Sequence, residues 1–385
     1  MRNEHRLRYF DYSATTPVDA RVIEAMMQCL GVEGCFGNPA STSHAFGLEA
    51  RAWVEQARAR VASLIGAAPD SIFWTSGATE STNLALKGFA ETARGPCRFI
   101  TSPLEHKATL DTLATLATRG HTVTCIQPSP SGAITASALS DTISDATSLV
   151  SLMMVNNELG TLTDIAEIAA IVHSAGAILH VDAAQALGKV PIDVDRLGID
   201  LMSMSAHKLY GPKGIGALYV RPEWIARIAG QIHGGGHEQG LRSGTLATHQ
   251  IVGMGMACEI AASSMDADAR HIETLSQSFL DGLAEIDGIT VNARAARRIP
   301  NTLSLTVDDP GFLPFMLSGD LAVSSTSACN SASGRPSHVL TGIGLSPEAA
   351  SRTVRISFGR YSTQADIEFA LRCIRTAVDQ CRAAR

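Results

Sequence analysis

The sequence predicts an α/β fold in which a large domain carries a mainly parallel, seven-stranded sheet and a smaller α+β domain follows. Two observations predict it. Seven short apolar runs, at residues 71–75, 98–101, 122–126, 149–155, 177–182, 201–205 and 217–220, alternate with helical patterns such as 83–91, 110–118 and 165–173. Strands that are apolar throughout and separated by helices describe a parallel sheet with both faces covered. The alternation then stops at a Gly-rich stretch, 233–244. A long helical pattern from about 249 to 286 leads into strands near 303–307 and 354–358 and a closing helix at 365–382. The expected division is a large domain over 15–260 and a small one formed by 1–14 with 261–385.

Length and composition agree with a multidomain globular chain. The protein has 385 residues, 45% hydrophobic and 18% charged, with a formal net charge of −6, more than one ordinary core accommodates. The acidic balance gives no general attraction to nucleic acid or to anionic membranes. The charged N-terminal stretch has no apolar signal core, and no apolar run is long enough to span a bilayer. Eight scattered cysteines form no CxxC pair, which predicts neither a disulfide framework nor a zinc site and suits a reducing cytoplasm. Most of them, Cys125 and Cys258 among them, read as inert core residues. Walker A, complete G-x-G-x-x-G, H-E-x-x-H and G-x-S-x-G motifs are all absent, so the sheet must serve another ligand.

Ligands of parallel sheets sit beyond the carboxyl ends of the strands, and here those ends are polar. Ser205-Ala206-His207-Lys208 places Lys208 just after a strand and before a Gly/Pro turn; a lysine there can be desolvated enough to form a Schiff base, although most loop lysines are simply solvated. Asp182 ends the strand in His180-Val181-Asp182-Ala183-Ala184-Gln185. It could hold a heteroaromatic nitrogen protonated, or serve as a common N-cap. Thr75-Ser76-Gly77-Ala78-Thr79-Glu80 turns a strand into a helix, which makes either a phosphate site or an ordinary capping box. His106, after Leu104-Glu105, could stack on a ring and move protons, and Asn157 could bond a ring oxygen or a carboxylate. Singly each has a bland alternative. Five strand ends with a phosphate turn, an imidazole, an amide, a carboxylate and a lysine describe one composite pocket.

Two further residues stand apart from the large sheet. Cys329 lies in Ser324-Ser325-Thr326-Ser327-Ala328-Cys329-Asn330-Ser331-Ala332-Ser333-Gly334, whose small polar residues offer no apolar packing. That composition predicts an accessible thiol on a mobile loop. Arg355, in a strand of the small domain, could grip a carboxylate with its planar fork or form an ordinary ion pair.

Taken together, these residues resemble the pyridoxal-phosphate (PLP) enzymes of fold type I in aminotransferase class V, and within them the NifS/IscS-like cysteine desulfurases. The similarity runs from Phe10-Asp11-Tyr12-Ser13-Ala14-Thr15-Thr16-Pro17 almost to the C-terminus. It includes Gly37-Asn38-Pro39-Ala40-Ser41, the Thr75–Glu80 turn, Glu105-His106, Val155-Asn156-Asn157-Glu158, His207-Lys208, the Gly-rich segment to Thr245 and the cysteine loop. The resemblance implies that Lys208 carries PLP, Asp182 pairs with the ring nitrogen and Gln185 bonds the phenolic oxygen. It implies that His106 stacks on the ring, and that Ala78, Thr79, Ser205 and His207 hold the phosphate with Thr245 of a neighbouring subunit. Asn157 and Arg355, with Asn38 nearby, would bind the substrate carboxylate, and Cys329 would receive sulfur from L-cysteine as a persulfide. A homodimer and a sulfur-acceptor protein, serving iron–sulfur assembly or thiolation, are the implied partners. The chain stops at Arg385, before the longer tail usual in IscS-type members, and 307–313 lacks their Glu-Gly-Glu-like turn; these departures bear on the acceptor. The competing readings are a class V aminotransferase, a selenocysteine lyase or a non-catalytic regulatory paralogue. An accessible cysteine favours desulfuration.

Overall fold

A computed structural model describes residues 7–325 and 336–383. The chain begins with a short strand, β1 (Arg8–Tyr9), followed by helices α1 (Ala20–Met27) and α2 (Ala45–Leu64). The α/β series is β2 (Ile72–Thr75), α3 (Ala78–Thr92), β3 (Arg98–Thr101), α4 (Lys107–Thr118), β4 (Thr122–Cys125), α5 (Ala136–Ser140), β5 (Leu149–Met153), α6 (Ile165–Ser174), β6 (Ile178–Asp182), β7 (Leu201–Ser205) and β8 (Gly216–Val220). Then come α7 (Thr248–Ala284), β9 (Ile289–Val291), β10 (Thr302–Val307), β11 (Leu321–Ala322), β12 (Ser324–Ser325), α8 (His338–Gly342), α9 (Pro347–Ser351), β13 (Thr353–Ser357) and α10 (Gln364–Ala383).

The seven predicted runs form one sheet, in the order β2-β8-β7-β6-β5-β3-β4. Only β8 runs against its neighbours. The segment between β7 and β8 holds a single 3₁₀ turn, Ala206–Lys208, and is too short for a parallel crossover, which takes a dozen or more residues. All the others run the same way, so the carboxyl ends of β2, β3, β5, β6 and β7 share one edge.

Alternation along each strand covers both faces. Trp74, Ile100, Leu152, Val181, Met204 and Tyr219 pack in one core with α2, α6 and the first half of α7. Phe73, Phe99, Leu149, Ile178, Leu201 and Leu218 pack on the other face against α3 and α4. One expectation fails at the far edge: the run 122–126 does form β4, but Thr122, Thr124 and Cys125 are exposed. An edge strand has a partner on one side only, so its apolar content does not guarantee burial. Cys125 is therefore a surface thiol and not a core residue.

A third core joins Phe10, the second half of α7 (Leu275, Phe279, Leu283), β10, β13 and α10, around the four-stranded sheet β12-β13-β10-β9. At 37 residues, α7 extends roughly 55 Å and contributes to both this core and the first. The N-terminal segment is stitched to the same region: β1 pairs with β11, and Asp11 bridges to Ser357.

Candidate active site

The shared carboxyl edge opens into a cleft of about 630 Å³, counted to its mouth. Its lining includes Ala78, Thr79, His106, Asn157, Asp182, Gln185, Ser205 and Lys208. Eight of the residues singled out in the sequence thus meet in one place. Asp182 is buried at the end of β6, where its Oδ1 accepts from Ala184 N at 2.9 Å. Two residues earlier in β6, the buried His180 bonds Ser151 and Ser203 through its two ring nitrogens, at 2.8 Å each. Burial lowers its pKa to about 4, so it is neutral at pH 7.

The turn after β2 leaves a helix end open. Gly77, with φ of 152°, precedes α3, and no side chain caps the helix; the first-turn N–H groups at Ala78 and Thr79 are the donors a phosphate uses. Instead of capping α3, Glu80 reaches back to Ser76 N (2.8 Å) and pairs with Arg242 (2.9 Å). Burial pushes the Glu80 carboxyl up, but the bonds from Arg242 and Ser76 outweigh it and hold its pKa below the usual value. Close by, Glu238 accepts from Arg58 (2.8 and 2.9 Å) and from Trp74 N (2.8 Å). These two clusters fasten the Gly-rich segment against β2 and the turn.

His106 forms the N-cap of α4: its Nδ1 accepts from Ala108 N at 3.1 Å. That bond places the proton of the neutral ring on Nε2. The residue is exposed at the cleft mouth, and desolvation lowers its pKa, with Lys208 adding to the effect and Asp182 opposing it. Beneath it Glu105 is buried, and its Oε2 lacks a partner among the described residues; burial raises the pKa of this carboxyl well above its ordinary value.

Arg355 lies beside the cleft. Its NH1 donates to Asn157 O (2.9 Å) and its NH2 to Asp11 (2.7 Å) and Ser324 (2.9 Å). The guanidinium is buried with Nε unpartnered, and Asn157 Oδ1 is likewise buried without a partner. Two orphaned polar atoms so close to one cleft mark where a bound molecule would supply hydrogen bonds.

Four predicted site residues fall elsewhere or outside the description. His207 is not in the cleft lining: its Nδ1 lies 3.1 Å from Thr15 Oγ1 and its carbonyl accepts from Thr16 N. Asn38 and Thr245 are exposed on this chain and do not line the cleft. Cys329 lies outside the described residues. Sequence reading also missed Asp11 and Ser324 as partners of Arg355, and Lys189, whose Nζ donates to Gln185 Oε1 at 2.8 Å. Asp11 belongs to a quoted motif; nothing local in the sequence distinguishes Lys189.

The residues fit pyridoxal phosphate. The uncapped end of α3 suits its phosphate, Lys208 offers an amine, Asp182 a carboxylate for the ring nitrogen, and the orphaned Asn157 Oδ1 shows that the cleft expects a ligand. Comparison with known proteins agrees. The family model described as aminotransferase class-V matches residues 8–369. The chain is 50% identical to cysteine desulfurase IscS of Aeromonas hydrophila over 378 residues, covering 97% of this chain and 93% of that protein. The IscS of Azotobacter vinelandii is also 50% identical, with the same coverage. Among solved structures, a NifS-like protein superposes with a TM-score of 0.89 at 36% identity, covering 97% of this chain and all of that one. A structure described as SspA in complex with cysteine gives 0.83 at 38% identity, over 92% and 100% of the two chains. The chain is a member of the class-V aminotransferase family, in its PLP-dependent cysteine desulfurase branch.

Proposed function

We propose that the chain converts L-cysteine to L-alanine at this cleft and leaves the sulfur as a persulfide on Cys329. The observation that carries the site assignment is the meeting of Lys208, Asp182, His106 and the open α3 end in one cleft beside the unpartnered Arg355 Nε. When bound, PLP supplies an electron sink that makes the substrate Cα proton removable and the Cβ–S bond weak. Lys208 carries it, Asp182 faces its ring nitrogen, and Ala78, Thr79 and Ser205 take its phosphate. Arg355 receives the substrate carboxylate through its unpartnered Nε, and Asn157 donates to it from its amide nitrogen. The Lys208 amine takes the Cα proton, and His106, with its proton on Nε2, stands at the mouth to pass protons. The Cys329 thiolate attacks the substrate sulfur: an S–S bond forms, the Cβ–S bond breaks, and Cβ gains a proton to give alanine. The thiol of one cysteine and the sulfur of the other balance the exchange with no outside oxidant.

Asn38 and Thr245, exposed and off the cleft of their own chain, suit a homodimer in which each chain completes the other's site. Met27, Leu30, Val32, Phe36 and Phe46 form exposed apolar surface in the N-terminal region that carries Asn38, as a subunit contact would need. The division at 260/261 falls within α7, which then couples the two domains as a rigid strut. Delivery to a sulfur-acceptor protein, for iron–sulfur assembly or thiolation, completes the reading. A reducing cytoplasm suits the seven described cysteines, all free thiols; no described helix is long and apolar enough to cross a membrane.

The test is incubation of the PLP-loaded protein with L-cysteine, followed by mass spectrometry and alanine analysis. One added sulfur mapped to Cys329, with alanine formed in the absence of any keto acid, is expected. A Cys329→Ser variant that released sulfide as fast as wild type in the presence of reductant would show the thiol assignment to be wrong.

A further inference from the structure

Behind Lys208 lies a second cavity, of about 620 Å³, lined among others by Tyr12, Lys189, Lys208, Tyr210 and Arg360. Most of its charged groups are satisfied. Arg360 binds Asp268 and Asp19, and Tyr210 OH accepts from Arg360 N. Lys189 is different. Its Nζ donates to a neutral amide, Gln185 Oε1, and the charges acting on it are the cations Lys208 and Arg355. Desolvation first, then those cations, lower its pKa to about 7. A lysine drawn inward toward like charges is unfavourable, and packing alone does not account for it, since Met would fill the space without that cost.

The geometry around Gln185 gives a reason. Gln185 is 4% exposed and lines the cleft. Its Nε2 donates to Ser13 O at 2.7 Å while its Oε1 accepts from Lys189. A backbone carbonyl can only accept, so Ser13 O takes an N–H of the amide and turns Oε1 toward Lys189 Nζ, which carries N–H donors in either protonation state. Ser13 is itself fixed, its N donating to Ser357 Oγ (2.8 Å) and its Oγ lying 2.7 Å from Thr302 Oγ1. Both ends of the carboxamide are therefore pinned, and one N–H of Nε2 remains uncommitted.

We propose that Lys189 is a positioning residue: by holding Gln185 Oε1 it keeps the remaining Gln185 N–H aimed at the phenolic oxygen of the cofactor. The inference rests on the reading of Gln185 as the ligand of that oxygen. A donor there favours the oxygen's anionic form, so its loss raises the pH at which the bound chromophore titrates. The experiment is a visible-absorbance pH titration of PLP-loaded wild type, Lys189→Met, Gln185→Ala, the double variant and Lys189→Arg.

Lys189→Met and Gln185→Ala are each expected to move the midpoint upward by roughly half to one pH unit, the size of one hydrogen bond. The double variant moves no further than Gln185→Ala, and Lys189→Arg, which keeps a donor, returns toward wild type. If Lys189→Met purifies poorly, Lys189→Gln, whose side chain stops short of Gln185, reads the same quantity. A midpoint that moves in Gln185→Ala but not in Lys189→Met overturns the positioning role alone. So does a Lys189→Met shift that persists undiminished in the Gln185→Ala background, because it would be a direct effect of charge. A spectrum unmoved by Gln185→Ala overturns the Gln185 reading and this proposal with it.

Discussion

Arg355 donates from NH2 to the carboxylate of Asp11 at 2.7 Å, while its buried Nε has no partner. Both terminal nitrogens of the guanidinium are thus held by the protein, and among the described residues only Nε is left without a partner. The Asp11 pair orients the fork, and the Asn157 carbonyl holds the opposite nitrogen.

The first prediction concerns that fork. Arg355→Lys keeps the charge but loses the planar donor set. Its KM for L-cysteine is expected to rise roughly tenfold or more, as removal of a charge-assisted hydrogen bond does, with a smaller change in kcat. Steady-state alanine formation measures it; an unchanged KM would place the substrate carboxylate elsewhere.

Lys208 is the proposed attachment point and base. Lys208→Ala should lose the visible absorbance of covalently held PLP, and alanine formation should fall by about 10²–10⁴-fold, the usual contribution of a positioned acid or base. Absorbance after exhaustive dialysis, with a rate assay, checks both. A yellow, active variant contradicts the assignment.

His180 makes stability depend on pH. Its folded pKa, about 4, lies below the ordinary histidine value of 6.5, so between those limits the unfolded chain binds a proton that the folded chain refuses. Stability from this group is complete above pH 6.5 and is lost as pH falls toward 4. The shift corresponds to about 3 kcal/mol, to order of magnitude. Denaturant melts at pH 7 and pH 5 should show a smaller loss in His180→Asn than in wild type; equal losses count against this origin.

Gly216 permits β8 to pass against the turn that opens α3. A Cβ added there would stand 2.6 Å from Gly77 Cα and also collide with Met204 O, backbone that cannot swing aside. Gly216→Ala should cost about 1–3 kcal/mol, as overpacking does, and weaken PLP retention by displacing the Ala78–Thr79 donors. Thermal melting and PLP titration of the apoprotein read the two effects; a variant matching wild type in both shows that the turn adapts.

Much of the architecture was legible because its signals are local. Each strand of the large sheet shows as a short apolar run, and the polar residues after β2, β3, β5, β6 and β7 show where a ligand belongs. The exposure of Cys125 was not legible, because an edge strand and a central one have the same local pattern. The reversal of β8 could have been read from the short connection after β7.

The sequence by itself determined the alternation of strands and helices and placed Lys208, Asp182, His106 and the Gly77 turn at strand ends, since these depend on neighbours within a few residues. Only the tertiary structure decided that Asp11 restrains Arg355 across 344 residues, that Lys189 and Ser13 pin Gln185 from opposite ends, and that Glu238 fastens the Gly-rich segment to Arg58. Those pairings depend on how sheets and helices pack in space, and the free energy of a hydrogen bond or an ion pair carries no trace of the length of chain between its partners.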